Sequence, residues 1–460
     1  MQDSPADISD SSPLRDVFHS ALQSVEPGVP LCVAISGGRD SVVLLHLAAT
    51  LSNRPVYAVH VNHGLHPEAA DWADHCQRVA QRLRVPVTVL EVTVAENHPQ
   101  GLEAAAREAR YQALHDHLKS GEVLLTAHHE QDQLETYLLQ LLRGSGVAGL
   151  SAMPQLQERD GIVHFRPLLN VAADDISNYA EEQGLEWIED PSNADEKFDR
   201  NYLRHVVIPR IHDRWPAADR VVARAARLSA KAAHMLDELA DIDLAGHFGQ
   251  YWIDLAALLS LNADRQANAI RSRLRLWEFA VPSEAQLGQA LQNLLHAADD
   301  RLPEGSWPGV RVRRFHDRLW FFQETSDPVA SMEGAPQAYS WIPDSALEMG
   351  GVRGNLQAEN VTSGGIALSW FEAPLQVRFR RGGESLRPGS EAATRKLKKL
   401  LQENDIFPWM RCHIPLVYRD EQLLAVGDLW TDAAAMAAEG EAGKRITWCN
   451  HAPICASSAL

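Results

Sequence analysis

The stretch LCVAISGGRDSVVLLHLA, Leu31 to Ala48, decides the reading of this chain. A short apolar run stops at Ser36-Gly37-Gly38-Arg39-Asp40-Ser41, and an apolar pattern of helical spacing begins at once beyond it. The run reads as a buried strand and 41–51 as the helix that follows it. Glycines at the junction let the backbone turn tightly and bring N–H groups near a ligand with no Cβ in the way. The helix start adds unpaired donors and the positive end of a dipole, which suits an anion. Ser36 and Ser41 add hydroxyl donors, and Asp40 suits a divalent cation or a helix cap. A capped turn with nothing bound is the plainer reading of two glycines. The whole hexapeptide directly after a buried strand favours a phosphate cradle.

Working outward, VYAVHV, VPVTVLEV and EVLLTA read as further strands buried on both faces, separated by helical spacing in 69–84 and 102–118. This β-α-β-α order predicts an α/β fold with a doubly wound parallel sheet and right-handed crossovers. Such sheets bind ligands at the carboxyl ends of their strands. That rule places His60, Asn62, His63 and His66 after the second strand at a crevice, facing His128 and His129 after the fourth. Asp132 and Glu135 follow on a helix predicted to stop at Gly144. Three residues apart, both face one ligand, with Leu134, Leu138 and Leu141 as the inward stripe. In LEAAAREARYQAL, Glu103 and Arg107 form an i, i+4 pair and Arg110 continues that face. A solvated salt bridge is the default reading, and a guanidinium row aimed at phosphates is the functional one. After FRPLLN (165–170), turn residues lead to a helix bearing Arg200, Asn201 and Arg204, the last two sharing a face. The grouped histidines come without paired cysteines or an H-E-x-x-H motif, which argues against a zinc hydrolase.

At 460 residues the chain exceeds one ordinary core. The division expected is 1–215 as a nucleotide-binding catalytic domain and 216–330 as a mainly helical domain. Residues 331–365 read as a boundary, 366–445 as a small basic α+β domain and 446–460 as a frayed tail. Ser283 with Gln286 three positions on is a capping box, and VRVRRFHDRLWFF (310–322) reads as a strand. No apolar run approaches the ~20 residues that cross a bilayer. The opening MQDSPADISDSSP is acidic and polar, unlike a signal or transit peptide. Five scattered cysteines without a C-x-x-C pair fit reduced thiols, hence a cytoplasmic location. A net charge of −18 excludes general coating of nucleic acid. Between Gln376 and Leu400, however, Arg378, Arg380, Arg381, Arg387, Arg395, Lys396, Lys398 and Lys399 face only Glu384 and Glu391. That excess points to a polyanionic partner docked in one geometry.

The hexapeptide resembles the S-G-G-x-D-S pyrophosphate loop of the ATP pyrophosphatase (PP-loop) superfamily. In order along the chain, HVNHGL, EAAAREARY, AHHEQDQLET, RGSG, RPLL, DPSN…FDRNYLR and RFRRGGESLRPGS…KLKKLLQENDIFPWMR together resemble the tRNA(Ile)-lysidine synthase family. The likeness is dense over 35–215 and good over 376–430. It implies an ATP- and Mg²⁺-dependent ligase that adenylates the wobble cytidine of an isoleucine tRNA with a CAU anticodon. Free L-lysine then joins the base, with AMP and pyrophosphate released. It further implies that Ser36, Gly37, Gly38, Arg39 and Ser41 cradle phosphates and that Asp40 holds the metal. Asp132 and Glu135 would meet the lysine amine. Arg107, Arg110 and Arg204 would serve the α-phosphate or RNA backbone. Substrate contacts would come from His60, Asn62, His63, His128, His129 and Asn201, and from Lys396, Lys398 and Lys399. The family usually has Asp-Asp-Gln after the histidine pair, and Gln131 stands at the first of those positions here. The alternatives are a thiolase-type tRNA-modifying relative, disfavoured because only Cys32 and Cys76 lie in the first domain, or a non-catalytic ATP-dependent RNA-binding protein. The sequence leaves the oligomeric state open, a dimer included.

Overall fold

The computed structural model describes residues 13–95, 102–159, 161–191, 195–295, 302–324, 327–328, 336–389 and 393–455. Residues 1–12 of the acidic opening, Ser192, Asn193, Glu391 and the side chain of Glu103 lie outside the described residues. The chain divides into two compact units, Met1–Met235 and Leu236–Leu460.

The first unit opens with a helix the periodicity did not flag, α1 (Pro13–Leu22), whose Leu14, Phe18 and Leu22 recur every four residues and are buried. Then follow β1 (Leu31–Ala34), α2 (Arg39–Leu51), β2 (Val56–Asn62), α3 (Ala69–Arg82), β3 (Val87–Glu91), α4 (Leu102–His117), β4 (Val123–Leu125) and α5 (Glu130–Leu142). After the short α6 (Val147–Leu150) come β5 (Leu156–Arg159), β6 (Ile162–Phe165) and α7 (Ala173–Glu182). The sheet order is β3-β2-β1-β4-β6-β5, parallel except for β5, which pairs antiparallel with β6. The expected doubly wound sheet is present. Burial is uneven, however. β1 and β4 are almost wholly buried, whereas β3, at the edge, is half-buried, which corrects the reading of VPVTVLEV as buried on both faces. Main-chain connectivity reverses between β1 and β4, so their carboxyl ends open on a crevice.

Past α7, the chain runs through α8 (Asp199–Tyr202), a π-helical turn (Leu203–Val207), α9 (Ile208–Arg214) and α10 (Ala218–Asp243). Leu134 of α5 packs with Leu203, Ile208 and Ala218, and this apolar contact seats α8 and α9 on α5. Leu138 and Leu139 join that cluster, whereas Leu141 is exposed, so the stripe on α5 shifts by one position at its end. Gly144, at φ +70°, stops the helix as expected.

In the second unit the segment expected to be mainly helical also holds a five-stranded antiparallel sheet. Residues 310–322 form two strands, Val310–Phe315 and Arg318–Gln323, joined by a turn with His316 at φ +50°. The long apolar second half hid that turn. Helices Ala263–Leu276 and Glu284–Leu295 cover the sheet with a core of aliphatic side chains and Trp307. The expected capping box is there: Ser283 N–H donates to Gln286 Oε1 at 2.9 Å, and Gln286 N–H donates to Ser283 Oγ at 3.3 Å.

Two stretches read as irregular are ordered pairs. Asn355–Val361 pairs along its whole length with Gly443–Cys449, so part of the presumed boundary and the first four residues of the presumed tail are sheet. Leu375–Arg378 pairs antiparallel with Leu416–Arg419, which forms a hairpin with Gln422–Val426. Trp252 and Trp320 share a core with Phe407, the Trp320 and Phe407 ring centroids lying 4.6 Å apart.

Replacing Ser283 by Ala removes one half of the capping box and should lower stability by about 1 kcal/mol. A urea titration followed by far-ultraviolet circular dichroism measures this. Thr at the same position should restore most of the loss.

Candidate active site

The junction that opened the reading forms one wall of a crevice of about 820 Å³ at the ends of β1, β2 and β4. Gly37 sits at φ +88°, and a Cβ there would approach Cys76 Sγ at 3.3 Å and Ile188 Cδ1 at 3.4 Å. Left-handed backbone and a tight fit both require glycine. Ile188 N–H donates to Gly37 O at 2.9 Å, tying the 187–191 segment to the loop. Ser41 is buried; its hydroxyl donates to Gly38 O at 2.8 Å and accepts from Ser36 N–H at 3.1 Å. Its one hydrogen is thereby used, so Ser36 is the donor in the 3.1 Å contact between the two hydroxyls. The serines therefore brace the loop, where the sequence suggested donors free for a phosphate. Among the described residues no acceptor meets the N–H groups of Arg39, Asp40 and Ser41, the first turn of α2. These are the available anion-binding donors.

Asp40 lines the crevice beside them. Arg39 Nε donates to its Oδ1 at 3.1 Å, so that guanidinium lies on the carboxylate and not out over the loop. His129 Nε2 lies 3.5 Å from Asp40 Oδ2 and 3.5 Å from Asp132 Oδ2. Burial pushes the Asp40 carboxyl up, but His129 and Arg39 outweigh it and hold it below its usual range. His129 is the reverse case. Burial opposes its proton, yet Asp40, Asp132 and Glu135 together raise its pKa.

Asp132 and Glu135 project from the first turns of α5, as expected, but they are not open to a ligand. Glu135 is fully buried, taking 2.6 Å hydrogen bonds from Arg200 Nε and from Arg204 Nε. Asp132 Oδ1 accepts from Arg200 at 2.9 Å and from Arg204 at 3.3 Å, and Oδ2 accepts from the His129 N–H at 3.0 Å. Burial alone would raise the Asp132 pKa; His129, Arg200, His128 and the His129 N–H bring it down to about 2. Two carboxylates and two guanidiniums thus form a closed, charge-balanced cluster. Arg200 and Arg204, four apart around the π-helical turn, share the inner face. Asn201, expected to share a face with Arg204, donates to Asp195 O at 3.0 Å, whereas Arg204 turns to the carboxylates. The i, i+4 spacing of the arginines was the signal available for Arg200.

The remaining candidates divide. His60 lines the crevice, but its Nδ1 lies 2.9 Å from Ile35 O, tying β2 to the loop, and burial lowers its pKa. Asn62 Oδ1 accepts from Gly64 N–H at 2.9 Å and shapes the turn. His63 and Arg110 line the crevice; burial and then Arg110 lower the His63 pKa. Arg107 is exposed, its guanidinium 5.0 Å from the Tyr111 ring centre, and does not join Arg110 in the crevice lining among the described residues. His128 lines the crevice and is bonded to Thr126, which links it to His164 and Arg166, three residues the sequence reading did not single out. Burial pushes the Cys32 and Cys76 thiols up to about 12, so neither offers a thiolate for sulfur transfer. In the second unit Lys396, Lys398 and Lys399 are exposed around the short helix Leu397–Glu403, whose Leu397, Leu400 and Leu401 are buried. Arg378, Arg380 and Arg395 in the same patch are paired with Glu421, Glu384 and Glu403. Among the described residues the three lysines form no ion pair.

A family model described as a PP-loop domain matches residues 14–211. Two more, a TilS substrate binding domain and a TilS substrate C-terminal domain, match residues 253–320 and 375–448. A tRNA(Ile)-lysidine synthase of Coxiella burnetii is 40% identical over 398 residues, covering 86% of this chain and 88% of its own length. The enzyme of that name from Alkalilimnicola ehrlichii is 41% identical over 414 residues, covering 89% and 92%. That from Nitrosomonas europaea is 35% identical over 454 residues, covering 97% and 96%.

Two stability outcomes follow from the cluster. Glu135→Gln removes a buried charge from two half-buried guanidiniums and should lower stability by about 2–3 kcal/mol in a urea titration, less than for a fully buried pair. Asp132 titrates at about 2 when folded, against roughly 3.9 unfolded, so its contribution is present above about pH 4 and fades as pH falls toward 2. The gap in unfolding midpoint between wild type and Asp132→Asn should therefore be widest near neutrality and close in acid. A gap independent of pH would contradict this assignment.

Proposed function

The chain belongs to the tRNA(Ile)-lysidine synthase family, and from that premise we propose how its crevice carries out the reaction. It is an ATP-dependent ligase that forms lysidine on an isoleucine tRNA. The observation that carries the reading is the first turn of α2, whose N–H groups open on the crevice beside ionised Asp40.

The cytosine O2 attacks the α-phosphorus of ATP; an O–P bond forms, the bond to the β-phosphate oxygen breaks, and pyrophosphate leaves. The ε-amine of lysine, freed of its proton, then attacks C2 of the base, and AMP departs with the oxygen. Each step concentrates negative charge on phosphate oxygens, which fixed donors must offset. The Arg39, Asp40 and Ser41 N–H groups are aimed at the pyrophosphate end. Asp40 suits one Mg²⁺ contact, since that ion takes a carboxylate or two plus phosphate oxygens and water. Bound there, the ion would supply charge neutralisation of the phosphates.

Lysine arrives with an ammonium group that only an anion will hold. Asp132 and Glu135 offer two carboxylates, both engaged by arginines. Arg204 is the more exposed of the two arginines, with 30% of its side chain open against 24% for Arg200. Arg204 also lines the crevice. We infer a cation exchange in which the ammonium takes the place of Arg204 on these carboxylates and the released guanidinium turns to the α-phosphate. Charge balance is kept throughout. The base must be splayed from the anticodon loop to reach the crevice. Lys396, Lys398 and Lys399 supply unpaired charge for the RNA backbone.

Incubation with ATP, Mg²⁺, labelled lysine and bulk tRNA should give RNA-dependent lysine incorporation. ATP binding without incorporation would leave only an RNA-binding role. Asp40→Asn should slow pyrophosphate release by roughly 10²-fold or more. Asp132→Asn should raise the KM for lysine well before that for ATP; equal effects on both would sink the cation exchange. Reversing Lys396, Lys398 and Lys399 to Glu should weaken tRNA binding and flatten its logarithmic salt slope by about 2 to 3.

A further inference from the structure

Behind the crevice four side chains form a line whose hydrogens can be assigned one by one. Arg166 is buried, and its Nη2 lies 3.1 Å from His164 Nδ1. A guanidinium has no acceptor, so it donates and His164 Nδ1 accepts. His164 is therefore neutral and carries its hydrogen on Nε2, which lies 2.8 Å from Thr126 Oγ1. Thr126 is buried, and among the described residues its hydroxyl has one other partner, His128 Nδ1 at 2.9 Å. A buried hydroxyl hydrogen needs an acceptor, and His128 Nδ1 is the one within reach. His128 is thus left with its hydrogen on Nε2, the ring nitrogen on the far side from Thr126, and His128 lines the crevice.

We propose that His128 is a specificity-determining contact to the substrate base, an uncharged imidazole locked as an Nε2–H donor that takes the ring-nitrogen acceptor of cytosine and refuses uracil. Thr126, His164 and Arg166 are positioning residues that lock it. This rests on the reaction described above. Uracil carries a hydrogen on the corresponding nitrogen, so a ring that cannot turn into an acceptor meets it donor to donor. A phosphate is the poorer partner, because a site for it would favour a charged ring, and the groups around His128 work against charge. Burial pushes its pKa well down; of the surrounding groups, Asp132 on α5 favours a proton, while Arg166 beyond β6, Arg200 on α8 and Arg107 on α4 oppose one. His164 beside it is held down to about 3, by burial and then by Arg166, Arg107 and Arg110. Neutrality also suits a base that becomes cationic once its O2 is adenylated.

Thr126→Val is near-isosteric and removes the bridge, while Thr126→Ser keeps the hydroxyl. The ratio of variant to wild-type kcat/KM for tRNA, measured by lysine incorporation, should fall with decreasing pH for Val, because the ring loses the donor that fills its Nδ1 and favours its neutral form. For Ser the ratio should stay flat. An anticodon stem-loop with uridine at the wobble position should compete at least tenfold less well than its cytidine counterpart against wild type. That preference should shrink severalfold with Thr126→Val. A flat ratio and an unchanged preference in a folded Val variant would overturn the proposal. Histidine-¹⁵N spectra, with His128 identified by its loss in His128→Gln, give a readout independent of turnover. They should show a neutral Nε2–H ring from about pH 6 to 8, and an imidazolium or an Nδ1–H ring would overturn the lock. Absence of all lysine incorporation by wild type with the spectrum as expected would instead count against the reaction, and with it the role given to the lock.

Discussion

Four interlocked charges, two buried carboxylates and two half-buried guanidiniums, set the terms for the first unit. Asp132 and Glu135, fixed at the start of α5, hold Arg200 and Arg204, and neither pair would be stable there without the other. The cluster ties the exit of β4 to the α8–α9 segment, and the Leu134–Leu203–Ile208 contact beneath it supplies the apolar burial that ion pairing alone does not. Because its charges balance, the cluster can exchange one cation for another without exposing a bare carboxylate. Chemistry that brings in an ammonium and must then offset a phosphate has a natural place beside it.

Around that cluster the histidines fall into two electrostatic classes. His129 faces three carboxylates and gains proton affinity; His128, one residue earlier, loses it to burial and then to the arginines around it. Adjacent residues of the same type thus have proton affinities shifted in opposite directions, because the backbone turn at the start of α5 sends them to different partners. The same division separates the phosphate side of the crevice, where ionised Asp40 sits by the open N–H groups, from the side suited to an uncharged base.

The second unit carries a different constraint. Three of the eight basic residues in its patch, Arg378, Arg380 and Arg395, are paired within the chain. What is left for a polyanion, among the described residues, is exposed Arg381 and Arg387 and the lysine edge of Leu397–Glu403, held in place by its buried leucines. A chain with a net charge of −18 thus keeps its exposed positive charge local, which favours one docking geometry over general attraction.

Local pattern was enough for the strand–loop–helix at Leu31–Ala48, the parallel sheet and the placing of His128, Asp132 and Glu135 near one crevice. Each follows from periodicity, glycine at a turn or the rule for strand ends, all short-range properties. The capping box at Ser283 was legible for the same reason. Pairings between distant residues were not. Arg200 on Glu135, His164 on Thr126 and Asn355–Val361 beside Gly443–Cys449 join segments about 65, 38 and 90 positions apart. Whether the loop serines face a ligand or each other, and whether a carboxylate is open or closed by an arginine, depends on which partner reaches it first in space. Residue types and their spacing are written in the chain; partners, burial and therefore charge states arise only when the fold brings the segments together.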